Sequence, residues 1–146
     1  MSLEANKALV RRWIDAYNTH NLESFDEFIA SDYIDHTNQI DRDRLKQLFI
    51  MAFKAFPDWH ETVDDIIAEG DKVWIRISYE GTHRGEFMGV AATGKKVTSQ
   101  GVDIYRIVDG KLAEYWNVTD NLFFNKQLGI IEITEQGKHL FPENET

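Results

Sequence analysis

The 146-residue chain carries 42% hydrophobic and 28% charged residues, a balance that fits one globular domain with a sizeable core. Its formal net charge of −9 leaves no concentrated basic surface for nucleic acid or an anionic membrane, and no apolar run approaches the ~20 residues that span a bilayer. The lack of cysteine removes disulfides, thiol nucleophiles and thiolate metal sites. The first residues have neither the basic nor the apolar region of a secretory signal, so a cytoplasmic location is expected.

Leu9, Val10, Trp13, Ile14, Ala16 and Tyr17 recur at helical spacing and predict a first helix over 3–20. Asn18-Thr19-His20-Asn21 interrupts it. Asn21 suits the N-cap of a short second helix that carries Leu22, Phe25, Phe28 and Ile29. Residues 33–37 read as a brief edge strand that contains His36. Asp41 opens a third helix through Leu45, Leu48, Phe49, Ala52, Phe53 and Phe56, which Pro57 ends. From Trp59 the apolar period changes to two, predicting a strand to Ala68, a turn at Glu69-Gly70-Asp71-Lys72 and a strong strand over 73–80. A glycine-rich connection spans 81–94, a length often associated with function. Two further strands, 97–108 and 111–120, flank Asp109-Gly110, the sequence of a type I′ turn. One or two helical turns follow from Leu122, closed by Gly129. The acidic tail over 131–146 offers only Leu140 and Phe141 for docking.

Helices followed by hairpin-joined strands give an α+β domain, residues 1–146 with a core over about 3–130, in which about four strands are covered on one face by helices. The two-residue turn sets Val108 opposite Lys111. Regular alternation then sets Tyr105 opposite Glu114, Asp103 opposite Trp116 and Ser99 opposite Asp120. Leu112, Glu114, Trp116, Val118 and Asp120 thereby share a face with Asp103 and Tyr105, and that face is read as the wall of a cavity. In this register Asp103 and Asp120 stand roughly 13 Å apart, at ~3.3 Å per residue, so Asp103 lines the pocket without sharing a proton with Asp120. On local grounds Asp120 is equally an N-cap for the helix that follows it. Trp13, Tyr17 and Trp116 equally suit the core, and His36 and His83 the surface. No metal-ligand spacing, phosphate loop or nucleophile elbow occurs, and neither a metal nor a cofactor is expected.

The segment 81–89, Thr93-Gly94-Lys95, Tyr105-Arg106-Ile107, Asp109-Gly110-Lys111, Glu114-Tyr115-Trp116, Asp120 and Gln127-Leu128-Gly129 follow one another in an order that resembles the SnoaL-like polyketide cyclases (ester cyclases) of the nuclear-transport-factor-two-like superfamily. The resemblance implies a cone: a curved antiparallel sheet wrapped around N-terminal helices, with an apolar pocket at one end and frequent dimerisation. It also implies an aspartate acid/base at the end of the last long strand, which Asp120 matches. The prolines that precede Thr-Gly-Lys in the family are replaced by Val90-Ala91-Ala92. Ketosteroid isomerase and limonene epoxide hydrolase share the fold. The isomerase's base and oxyanion tyrosine fall near His36 and Trp13, and neither residue type is kept.

The expected function is therefore cofactor-independent acid/base chemistry on a small apolar carbonyl-containing molecule, by aldol cyclisation or a related isomerisation or hydration. Asp120 is expected as the acid/base with His36 assisting, and Trp116, His83, Trp13, Tyr17 and Asp103 as substrate-binding residues. The alternative is a non-catalytic small-molecule-binding or dimerisation module. A homodimer is the expected assembly. Epoxide hydrolysis would need a second carboxylate beside Asp120.

Overall fold

The structure, a computed structural model, describes residues 2–140. Helix α1 (Leu3–Asn18) starts where the Ser2 hydroxyl accepts the Ala5 amide, and α3 (Arg42–Ala55) starts where the Asp41 carboxylate accepts the Arg44 amide. Between them lie α2 (Phe25–Phe28), β1 (Ile29–Asp35) and β2 (Ile40–Asp41). Strands β3 (His60–Glu69), β4 (Lys72–Thr82), β5 (Lys96–Val108) and β6 (Lys111–Thr119) then form an antiparallel meander. Helix α4 (Asn121–Leu128) ends at Gly129, which takes the left-handed conformation that closes a helix at low cost.

The six strands run in the order β2-β1-β6-β5-β4-β3. Residues Leu9, Val10, Trp13, Ile14 and Tyr17 of α1 pack with Val73, Ile75 and Ile77 of β4 and Tyr105 of β5 in one buried cluster. The helices thus cover one face of the curved sheet, as the α+β cone requires. A smaller cluster of Ala55, Phe56, Val97 and Leu128 closes the end of the cone beneath α4.

Three expectations are corrected. The strand around residue 33 is longer than a brief edge strand and lies inside the sheet, parallel to β6 (Ile34 beside Glu114, Asp35 beside Tyr115), while β2 forms the edge. The sheet accordingly has six strands rather than about four. The second helix is one turn beginning at Phe25, because Asn21 uses its side chain to accept the Glu23 amide in the preceding turn. Leu140 is exposed rather than docked, and Phe141 lies outside the described residues.

The fourth correction matters most for function. The Asp109-Gly110 turn forms as expected, with both residues at positive φ and Val108 opposite Lys111. Beyond Ile107–Leu112, however, the next pair is Arg106–Glu114, so Ala113 is an extra, unpaired residue. The bulge moves every later residue of β6 to the opposite face. Tyr115, Asn117 and Thr119 turn toward the helices, and Asp103 pairs with Asn117 rather than Trp116. A second bulge at Asp64 does the same in β3, so that Glu61 and Val63 face inward together with Ile66 and Ala68.

At Gly101 of β5 an added Cβ would stand 2.6 Å from the Val118 carbonyl oxygen of β6. We expect Gly101→Ala to lower stability by about 1–3 kcal/mol, the usual cost of overpacking. Urea unfolding that shows no loss would contradict this strand spacing.

Candidate functional site

Two connected lobes open between the helices and the inner sheet face, with volumes of about 180 Å³ and about 330 Å³. Glu61, Asp103 and Tyr115 line both, so these three side chains form the neck between the lobes. Aromatic residues dominate the inner lobe, Trp13, Tyr17, Phe49 and Tyr105 among them. The outer lobe combines Phe56, Trp59 and Phe124 with the polar side chains of Ser99, Asn117, Asn121 and Asn125. Among the described residues no Lys, Arg or His lines either lobe.

Asp103 is 3% exposed and projects from the centre of β5. The Tyr115 phenol donates to its Oδ1 at 2.9 Å and the Tyr79 phenol donates to the same oxygen at 3.3 Å. Oδ2 takes neither bond and remains for the cavity. Burial destabilises the carboxylate and outweighs the two phenols, so the Asp103 pKa is pushed up to about 6. Glu61 is pushed further, to about 8, first by burial and then by the charge of Asp103, with the Trp59 indole and the Tyr17 phenol opposing the shift. Two carboxyl groups in one aromatic-lined cavity, without a cation, thus hold different protonation states near neutral pH. Burial also raises the phenols of Tyr17, Tyr105 and Tyr115, which stay neutral donors.

A third acid, Asp35, is 1% exposed at the end of β1 and also lines the inner lobe. Its carboxylate is occupied by the Thr37 amide, the Asn38 amide and the Asn38 side-chain amide, all within 2.9 Å. These bonds make it the clamp of the β1–β2 turn.

Of the residues singled out in the sequence, Trp13, Tyr17 and Asp103 line the cavity. Trp116 and His36 do not. The Ala113 bulge carries Trp116 to the outer face, where its ring stacks on His36 at 4.8 Å and lies under the Lys72 ammonium. His36 pairs there with Glu114 at 2.9 Å, and Arg106 bridges Glu114 to Asp71. Asp120 is exposed and its carboxylate accepts the Phe123 amide at 3.1 Å, the cap geometry, which is typically worth ~1 kcal/mol. By capping α4, Asp120 orients Asn121, Phe124 and Asn125 over the outer lobe rather than entering it.

His83 is fully buried but sits behind the wall. Its Nδ1 accepts the Thr93 amide at 3.2 Å, and its ring stacks on Phe56, which does line the outer lobe. Glu61 was not among the expected site residues. Its signal was an acid on the same strand face as Trp59 and Val63, an unusual place for a carboxylate unless it borders a cavity.

The family description "SnoaL-like polyketide cyclase" matches residues 7–128, most of the chain. The chain belongs to the SnoaL-like polyketide cyclase family. Among its curated relatives, the aklanonic acid methyl ester cyclase DauD of Streptomyces sp. (strain C5) is 28% identical over 128 residues, covering 83% of this chain and 80% of DauD. Solved structures with the same fold include AclR from Streptomyces galilaeus, a protein provisionally described as a hydroxylase. It is 34% identical, with a TM-score of 0.83 over 90% of this chain and all of AclR. IdmH from Streptomyces antibioticus is 31% identical, with a TM-score of 0.75 over 85% of this chain and 98% of IdmH. Among the described residues no helix is long and apolar enough to cross a membrane.

The raised Asp103 pKa fixes the sign of a stability effect. The native state binds this proton more tightly than the unfolded chain, whose carboxyl titrates at the ordinary 3.8. The cost to folding is therefore absent below pH 3.8, grows through that window and is complete above about pH 6. We expect Asp103→Asn, which keeps an acceptor for the two phenols, to stabilise the protein at pH 8 by up to roughly 3 kcal/mol, at ~1.4 kcal/mol per pKa unit. At pH 3.5 the gain disappears. Equal urea midpoints for the two proteins at pH 8 would contradict a desolvated Asp103.

Proposed function

We propose that the protein is a cofactor-independent acid/base catalyst of the cyclase type, acting on an aromatic, carbonyl-containing ester. The aklanonic acid methyl ester cyclases among its relatives support this substrate class. The observation that carries the reading is Asp103: a buried carboxylate on the neck of the cavity, with one oxygen fixed by two phenols and the other unbonded among the described residues.

In this reading Asp103 Oδ2 removes a proton from the carbon next to a carbonyl, leaving an enolate. The enolate carbon attacks a second carbonyl of the same molecule and closes a ring. Protonated Asp103 returns its proton to the new alkoxide, so the reaction is an isomerisation that consumes nothing. A pKa near neutral lets one group serve first as base and then as acid. The aromatic inner lobe holds a flat ring system, and the asparagine side chains of the outer lobe suit the ester and hydroxyl end. A homodimer remains the expected assembly, with Trp74, Trp116 and Val118 on the outer sheet face as candidate contacts.

The likeness to AclR supports a second reading, hydroxylation of the same class of molecule, in which dioxygen adds to the enolate carbon and takes the Asp103 proton to give a hydroperoxide, which an external two-electron reductant converts to the alcohol and water. Oxygen uptake that matches turnover would select it.

With aklanonic acid methyl ester as substrate, kcat/KM is expected to fall as pH drops through about 6, where Asp103 becomes protonated. Asp103→Asn is expected to lose roughly 10²–10⁴-fold, the usual worth of a positioned acid/base. Undiminished turnover by Asp103→Asn would remove Asp103 from the mechanism.

A further inference from the structure

The reading above leaves one requirement unmet. As Asp103 takes a proton from carbon, negative charge builds on the neighbouring carbonyl oxygen, and that oxygen needs a donor. No cationic side chain lines either lobe among the described residues. The Tyr79 and Tyr115 phenols already donate to Asp103, and the Asp35 carboxylate is saturated by its turn.

The phenols of Tyr17, Tyr33 and Tyr105 and the asparagine side chains each line one lobe only, whereas Glu61 shares the neck with Asp103, and the fold holds it firmly. Asn18, the last residue of α1, grips the Glu61 backbone from both sides: its Oδ1 accepts the Glu61 amide at 2.9 Å and its Nδ2 donates to the Glu61 carbonyl at 2.8 Å. His20 donates to the Trp59 carbonyl at 2.6 Å, and the Trp59 indole donates to the Glu61 carboxyl at 3.4 Å. Two bonds from Asn18 at the end of α1 thus fix the Glu61 backbone and one from Trp59, just before β3, holds its carboxyl, which among the described residues accepts no backbone amide and stands on the same neck as Asp103.

We propose that Glu61 is the general acid of this site, its carboxyl O–H donating to the substrate carbonyl oxygen while Asp103 acts on the adjacent carbon. The inference rests on the acid/base reading of Asp103. The proton and electron count closes within the substrate and the two side chains. Asp103 accepts the proton, the C–H electron pair becomes the enol double bond, and the Glu61 proton binds the oxygen. On ring closure that pair forms the new C–C bond, the first carbonyl is restored and its proton returns to Glu61, while the Asp103 proton goes to the new alkoxide. The groups that face Glu61 are Asp103 and Tyr105 from β5, Tyr17 from α1 and Tyr79 from β4, three neutral phenols and one acid. Burial first, and the charge of Asp103 second, keep the Glu61 proton in place up to about pH 8. The task parallels that of the neutral aspartic acid in the oxyanion hole of ketosteroid isomerase.

The test uses 2-tetralone, a planar aromatic ketone, and follows hydrogen–deuterium exchange at its acidic carbon in D2O by NMR. Wild-type exchange is expected to fall above about pH 8. Glu61→Gln, which can hydrogen-bond the oxygen but cannot transfer a proton to it, should lose about tenfold and lose that alkaline limb. Glu61→Ala should lose roughly 100-fold. Wild-type rates in Glu61→Ala, or an alkaline limb that persists in Glu61→Gln, would overturn the assignment.

If wild type exchanges no faster than Asp103→Asn, the acid/base reading of Asp103 has failed. Glu61 is then judged by the binding of 2-naphthol, an oxygen-donor mimic of the enol. Roughly tenfold weaker binding by Glu61→Ala and near-normal binding by Glu61→Gln would support it as the donor. Equal binding by all three proteins would overturn it.

Discussion

One unpaired residue decides which side chains meet the cavity. Side chains alternate along a strand, so an extra residue at Ala113 exchanges the two faces for the rest of β6. Without that bulge Trp116 and Val118 would crowd the inner face, and Tyr115 would point away from Asp103. With it, Tyr115 reaches Asp103 and the small polar side chains of Asn117 and Thr119 leave room for the outer lobe. The bulge at Asp64 has the equivalent effect in β3, setting Glu61 on the same neck. Glu61 is thus placed beside an irregularity of pairing, whereas Asp103 keeps the regular alternation of β5 and gains Tyr115 as a partner through the bulge in the neighbouring strand.

The electrostatics follow from this placement. Asp103 and Glu61 are carried into an aromatic cavity that, among the described residues, offers phenols and amides but no cation. Each pays for burial by holding its proton to higher pH, and the two differ because Asp103 has two phenol donors while Glu61 has the charge of Asp103 as a neighbour. Such a pair is unfavourable for folding at neutral pH, and the separation of the two pKa values is what acid/base chemistry requires. The charged groups that would ease the cost stand on the other side of the sheet. There His36, Glu114, Arg106 and Asp71 form an exposed line, and the hydrogen bonds of His36 and Arg106 hold Glu114 below its ordinary range.

Much of this was legible in the sequence. Asp41 as a helix cap, Pro57 as a stop, the Asp109-Gly110 turn and Gly129 as a closing residue are local signals, and each forms as read. Helical spacing of Trp13 and Tyr17 correctly put them on the face that meets the sheet. The parallel contact between β1 and β6 was not legible, because pairing across some 80 residues leaves no local trace. The bulge was hidden for a related reason: counting outward from a turn assumes that every residue is paired. Its one sequence mark is Leu112-Ala113, two adjacent residues that are both buried where alternation would bury one. From that miscount came the expectation that Trp116 and Asp120 faced the cavity, whereas Asp103 lines it as read.

The account stands or falls on the protonation of Asp103. Carboxyl-carbon NMR of the protein, assigned with Asp103→Asn, measures it directly without a substrate. A midpoint about two units above the ordinary 3.8, near pH 6, is the predicted result. A midpoint at or below 3.8 would mean that the carboxylate is solvated or fully compensated, and would contradict a dry acid/base site built on β5.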